Sequence, residues 1–501
     1  MRILDLSIRP YGSPIGYGRG AVDPMFNWIP EQSVLSEPVG GERTPTEIMS
    51  YHDLLFYRIG PFYDEIYQLG TLTTKPYCTY ITYSGVGKHL AVLPANRLVG
   101  RAKVIDIQIE PGEEIKLNGV MNRVTSVLES DDIVIFRTGY SKERPSLPSH
   151  SYAMNSPFLS LEVVQWLIGK GIKLFATDLR NVEPFGRNGI RKTFNQAGIP
   201  VVEDLANLTQ LASDEVFLMV GLPLPIFGAS GGPVRVMAFQ SPLDLSKPID
   251  CTFQLSYPDA EANSPYPFEP PLPERIEPRD LISQVSAWTR VNPFDIVDSQ
   301  GDILATEMYI NYSHNSTTHI EGPCFDPIGE HGISDELLRR YHTMPLDRLT
   351  GPACLIDLSN IAGAQQMITT KMLKKANPQI YPGDIAVIRT NYNEWFLYGR
   401  NMLENVPGFT TEAAEWLADQ GIKCFVIDAP SHERCEPRSG NPGMRYTAQD
   451  CHYAFFNRDI PIVDHGMNFS YIRSKRMQIA ILPLFAKNQP NAVPAQIIGL
   501  E

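Results

Sequence analysis

Apolar positions along the chain fall into short continuous runs separated by polar and proline-rich stretches, and the same order of runs occurs twice. DDIVIFRTGY (131–140) and GDIAVIRTNY (383–392) each carry a buried-strand pattern that ends on Arg-Thr. FLSLEVVQWLIGKGIKLFATDL (158–179) and FTTEAAEWLADQGIKCFVIDA (409–429) follow. In both, Ser or Thr caps a predicted helix with an inward Trp (Trp166, Trp416), a Gly ends it, and an apolar strand closes on Asp. AGIPVVEDLANL (197–208) then matches RDIPIVDHGMNF (458–469), and VGLPLPIFGASGGPVRVMAF (220–239) matches AILPLFAKNQPNAVPAQIIGL (480–500). Four matches in one order predict a duplicated α/β domain built from strand–helix–strand units. The copies are expected at 1–240 and 283–501. The stretch 241–282 between them is proline-rich, acidic and poor in aliphatic residues, and reads as a linker.

Composition narrows the partners. Of 501 residues, 43 are Lys or Arg and 56 are Asp or Glu, a net charge of −13, and no basic run occurs. Nucleic acid and anionic membranes are therefore not expected partners. MRILDLSIRPYG has no continuous apolar core of a secretory signal, and no apolar run approaches the roughly 18 residues of a membrane span. A cytoplasmic location is the expectation. Seven scattered cysteines without a CxxC pair read as reduced, mostly buried thiols.

The candidate chemistry gathers in NYSHNSTTHIEGPCFD (311–326). On an extended segment His319 and Glu321, at i and i+2, point the same way, and Asn315 or a displaced His314 would join them. Imidazole with carboxylate suits a divalent ion, Zn²⁺ or Mn²⁺.

These residues resemble the metal-dependent cyclase family, which includes kynurenine formamidases and isatin hydrolases. Its hallmark H-x-G-T-H-x-D-x-P-x-H falls in the second copy on Asn315, Thr317, Thr318, His319, Glu321, Pro323 and Phe325. The family's distal His and Glu, twelve residues apart, fall on His452 and Asp464 of IPIVD. The resemblance thus implies one divalent ion held by His319, Glu321, His452 and Asp464, with Asn315 or His314 completing the set. Phe325 stands where the family has its catalytic histidine, so another base is required, and His432 and His465 are the reserve candidates.

In the first copy the hallmark is aligned on TYITYSGVGKH, which puts Thr79, Tyr83 and Gly85 at ligand positions and leaves His89 as the terminal histidine. Arg191 and Glu203 take the distal pair. A permanent cation among metal ligands opposes a divalent ion, so an Arg191–Glu203 ion pair and a degenerate, structural first copy are expected. The family's homodimers, with sites near the subunit interface, imply a swivelling β/α/β fold whose two copies form an internal pseudo-dimer, open to further pairing. His89 could then reach the second site. The family's pocket region implies an aromatic substrate wall at Phe325, Tyr392 and Trp395. The implied function is a metal-dependent hydrolase or cyclase acting on an amide, lactam or ester of a small metabolite. The alternative is a catalytically inactive pseudo-enzyme that serves as a small-molecule-binding or assembly protein.

Overall fold

The computed structural model describes residues 3–5, 54–59, 79–83, 90, 93–124, 127–143, 152, 155–184, 189–213, 215–223, 231–240, 249–250, 296–297, 303–305, 308–313, 318–322, 346–362, 366–393, 406–433, 435–437, 444–446, 450–483 and 492–501. Strands β1 (Ile3–Asp5) and β2 (Leu54–Ile59) come first. The first copy then forms β3 (Tyr80–Thr82), β4 (Val99–Asp106), β5 (Ile133–Arg137), β6 (Leu174–Thr177), β7 (Val201–Glu203), β8 (Val216–Pro223) and β9 (Gly231–Phe239). Strand β10 (Ile249–Asp250) lies inside the stretch read as a linker, which periodicity could not reveal in so short an element. The second copy forms β11 (Met308–Ser313), β12 (His319–Glu321), β13 (Thr350–Asp357), β14 (Ile385–Arg389), β15 (Cys424–Ile427), β16 (Ile462–Asp464), β17 (Arg476–Pro483) and β18 (Ala492–Leu500).

Both copies build one sheet order. The first runs β8-β4-β5-β6-β7-β3-β9 and the second β17-β13-β14-β15-β16-β12-β18. Because β8 also pairs with β9, and β17 with β18, each sheet closes into a barrel and leaves no open edge. The four central strands of each barrel are parallel, which requires crossover connections. Helix Leu117–Met121, α1 (Leu161–Gly169) and α2 (Gly189–Gln196) lie in the three crossovers of the first copy, and helix Thr370–Ala376, α3 (Thr411–Ala418) and α4 (Asp450–Phe456) in those of the second.

The predicted caps are in place. Val163 N–H donates to the Ser160 side chain and Ala413 N–H to that of Thr410, while Gly171 and Gly421 reverse the chain at φ of 71° and 77°. The strands are buried on both faces, as parallel strands under helices require. Along β13, Ala353 and Leu355 face one apolar cluster and Cys354 and Ile356 face another beneath α3 and α4.

The recurring Arg-Thr and Asp motifs meet each other. Asp178 accepts the Thr138 N–H and hydroxyl at 2.8 Å and the Gly139 N–H at 2.7 Å. Asp428 accepts the same three groups from Thr390 and Asn391 at 2.6–2.7 Å. Arg137 and Arg389 bind the carbonyls of Leu208 and Leu211, and of Phe469 and Ile472, tying each strand to the turn that follows the second helix.

The copies also exchange strands. β1, from the first copy, pairs with β18 of the second barrel, with Asp5 opposite Ile498. β10 pairs with β9 of the first barrel, with Asp250 opposite Met237, the position equivalent to Ile498. β2 and β11 form an antiparallel ribbon between the copies, Gln496 Nε2 donates to the Pro223 carbonyl, and one apolar cluster contains residues of both barrels.

Candidate metal centre

The site grows from β12. His319 and Glu321 lie on one side of this strand, with His319 Nε2 3.2 Å from Glu321 Oε1. Antiparallel pairing with β16 sets His319 directly opposite Asp464. Helix α4 brings His452, whose Nε2 lies 3.0 Å from Glu321 Oε2. Glu433, on the loop after β15, accepts the N–H groups of Cys451 and His452 at 3.0 and 3.2 Å, capping α4. Its Oε1 also lies 3.0 Å from His452 Nδ1, so one carboxylate fixes both the helix end and the imidazole. His432 Nδ1 lies 3.2 Å from Asp464 Oδ2. His465 follows in the left-handed region at φ 64°, its ring 5.9 Å from that of His319. All seven side chains are buried.

Ligand atoms of His319, Glu321 and Asp464 lie within 4.8 Å of one another, and those of His432, Glu433 and His452 do likewise. Burial alone would raise Glu321, but hydrogen bonds from His319 and His452 hold it well below the ordinary glutamate value. Glu433 is also lowered, the His452 charge outweighing desolvation. Burial would lower His452, yet Glu433 and Glu321 drive it up to about 10. Carboxylates this deeply buried require a cation. The imidazolium of His452 supplies one, and the nitrogen and oxygen donor set fits a divalent ion in its place.

The first copy answers the same need differently. Tyr80 opposite Glu203 stands for His319 opposite Asp464, Thr82 for Glu321, Arg191 for His452, Val182 for His432, and Asp204 for His465. Arg191 lies 2.6 Å from Glu183 and 2.7 Å from Glu203, all buried, so the expected ion pair is present with a second carboxylate added. The sequence alignment of the first hallmark is corrected by the register. Thr79 donates to the Asp204 carbonyl as Thr318 does to that of His465, so Tyr80 and Thr82, not Tyr83 and Gly85, occupy the ligand positions. With the ligand residues gone, the segment kept no chemical marker of its register, and His89 loses its place in the motif.

Of the other expected residues, His89, His314, Asn315, Phe325 and Trp395 lie outside the described residues. Tyr392, expected on a substrate wall, is 2 % exposed and packed in the apolar cluster beneath α3 and α4. It packs at the place of Tyr140 in the first copy. Glu433 was missed, although its match to Glu183 in the repeat was a readable signal. Cys354, Cys424 and Cys451 are buried free thiols, and no helix among the described residues is long and apolar enough to cross a membrane.

Kynurenine formamidase of Bacillus cytotoxicus is 26 % identical over 153 residues, 30 % of this chain and 68 % of that protein. A solved isatin hydrolase bound to the product analogue thioisatinate is 18 % identical, with a TM-score of 0.32 over 41 % of this chain and 79 % of its own. Isatin hydrolase A from Ralstonia solanacearum is 18 % identical, with a TM-score of 0.29 over 47 % of this chain and 91 % of its own. The family described as "Putative cyclase" matches residues 67–184 and 243–434, in both copies and over more than half of the chain. The chain belongs to the cyclase family.

Proposed function

We propose that the second copy holds one divalent ion, zinc or manganese, on His319, Glu321, His452 and Asp464, and that the protein is a metal-dependent hydrolase or cyclase. The bond made or broken is the C–N or C–O bond of an amide, lactam or ester in a small metabolite, an aromatic one included. The observation that carries this reading is convergence: strand β12, strand β16 and helix α4 bring these four residues together in a buried site, while the first copy has Tyr80, Thr82, Glu203 and Arg191 there. When bound, such an ion polarises a carbonyl and lowers the pKa of a bound water from about 16 toward about 7.

The protein's own groups do the rest. Glu433 holds His452 in one orientation, and Asp464 faces His319 across the strand pair. His465 is the proton-handling residue in this proposal, buried with its ring 5.9 Å from His319. Phe325 and Trp395 supply the aromatic wall. The exchanged strands and the shared apolar cluster support an internal pseudo-dimer, and further pairing of whole chains is tested by light scattering.

The test is metal content beside turnover, on a panel of N-formyl amides, lactams and aryl esters. His319→Ala and His452→Ala should each lose bound metal and turnover together. Undiminished metal in both variants would remove the proposal.

A further inference from the structure

Within the metal site, His432 is the residue that the fold does not explain. Its backbone role is generic: the His432 carbonyl accepts the Phe409 N–H at 2.8 Å, and in the first copy the Val182 carbonyl accepts the Leu159 N–H at the same distance. Valine therefore serves this backbone position fully. The neighbouring glutamate is explained by the fold in both copies. Glu433 caps α4 through the Cys451 N–H, and Glu183 caps α2 through the Ile190 N–H at 3.0 Å. Only the imidazole is particular to the second copy.

That imidazole is placed at a cost. His432 is fully buried, and its Nε2 has no hydrogen-bond partner among the described residues. Leaving such a nitrogen buried and unpaired is unfavourable, and valine would avoid it. Its Nδ1 lies 3.2 Å from Asp464, and its ring centre 4.3 Å from that of His452, two of the residues assigned to the ion. A ring nitrogen of His432 also falls within 4.8 Å of ligand atoms of both Glu433 and His452. The hallmark histidine positions of this copy meanwhile hold Asn315 and Phe325, so two imidazoles are missing from the segment around His319.

We propose that His432 is a ligand of the metal ion, supplying from the loop after β15 an imidazole that the altered hallmark no longer supplies. The inference rests on the metal centre proposed above and adds a residue to its coordination sphere. It makes the site of the second copy a three-histidine centre on the described residues, with His319 and His452.

The experiment is X-ray absorption at the zinc edge on the zinc-loaded, full-length chain, wild type beside His432→Val, with zinc affinity measured by chelator competition. His432→Val installs the first copy's residue on an equivalent backbone. The imidazole count should fall by one and the dissociation constant should rise by about tenfold or more. Should the valine variant not fold, His432→Asn carries the same expectation. An unchanged imidazole count in a folded variant that still binds zinc overturns the assignment, even if affinity falls. A wild-type chain that takes up no zinc removes the metal centre itself, and His432 as a ligand with it.

Discussion

Arg191 and Glu183 show how the first copy fills the place that His452 and Glu433 hold in the second. One guanidinium serves two buried carboxylates, and burial, only partly offset by Arg191, pushes Glu183 up to about 7 from 4.5. A carboxyl raised in the folded state binds its proton more tightly there than in the unfolded chain. Stability contributed by this group is therefore present at low pH and is lost as pH rises from 4.5 to about 7, by about 3 kcal/mol. Glu183→Gln should flatten that window in denaturant titrations run across it, and an unaltered slope would refute the assignment. Arg191→Met should cost about 3–5 kcal/mol, because it strands two buried carboxylates, while leaving the metal content of the second copy intact. At this scale the sequence was readable where chemistry repeats with spacing, as in His319, Glu321, His452 and Asp464. It was misread where only position mattered: Tyr80 and Thr82 carry no marker of the role they inherited.

The elements were legible wherever an apolar run had punctuation. Ser160 and Thr410 before α1 and α3, and Gly171 and Gly421 after them, marked those helices, and their caps are made as expected. Removing one such cap, Thr410→Ala, should cost about 1 kcal/mol in thermal or chemical unfolding. Asp428→Ala should cost more than that, because it leaves the Thr390 and Asn391 N–H groups and the Thr390 hydroxyl proton without an acceptor at the end of β14. Equal losses in the two variants would contradict the latch. Of the three-residue strands, β12 was read as extended because His319 and Glu321 alternate along it, whereas β3 carries no such marker and its register was misplaced. Their place comes from the strands on either side, and His319 and Glu321 sit on β12.

For the whole molecule, duplication was readable because the order of four motifs is longer-ranged than any one of them. The strand exchange was not, since β1 and β10 are three and two residues long and their partners belong to the other copy. Deleting residues 1–7 should accelerate amide exchange along β18 while leaving β8 and β9 protected. Unchanged exchange at 498–500 would show that β1 contributes nothing to the second barrel. The exchange also sets an order of events during synthesis. Residues 3–5 precede both barrels and their partners at 498–500 follow both barrels' other strands, whereas β9 waits only for residues 249–250. The second barrel, which carries His319, Glu321, His452 and Asp464, is thus joined by a pairing of far greater sequence separation than the one that joins the first, and residues 3–5 are made long before their partners.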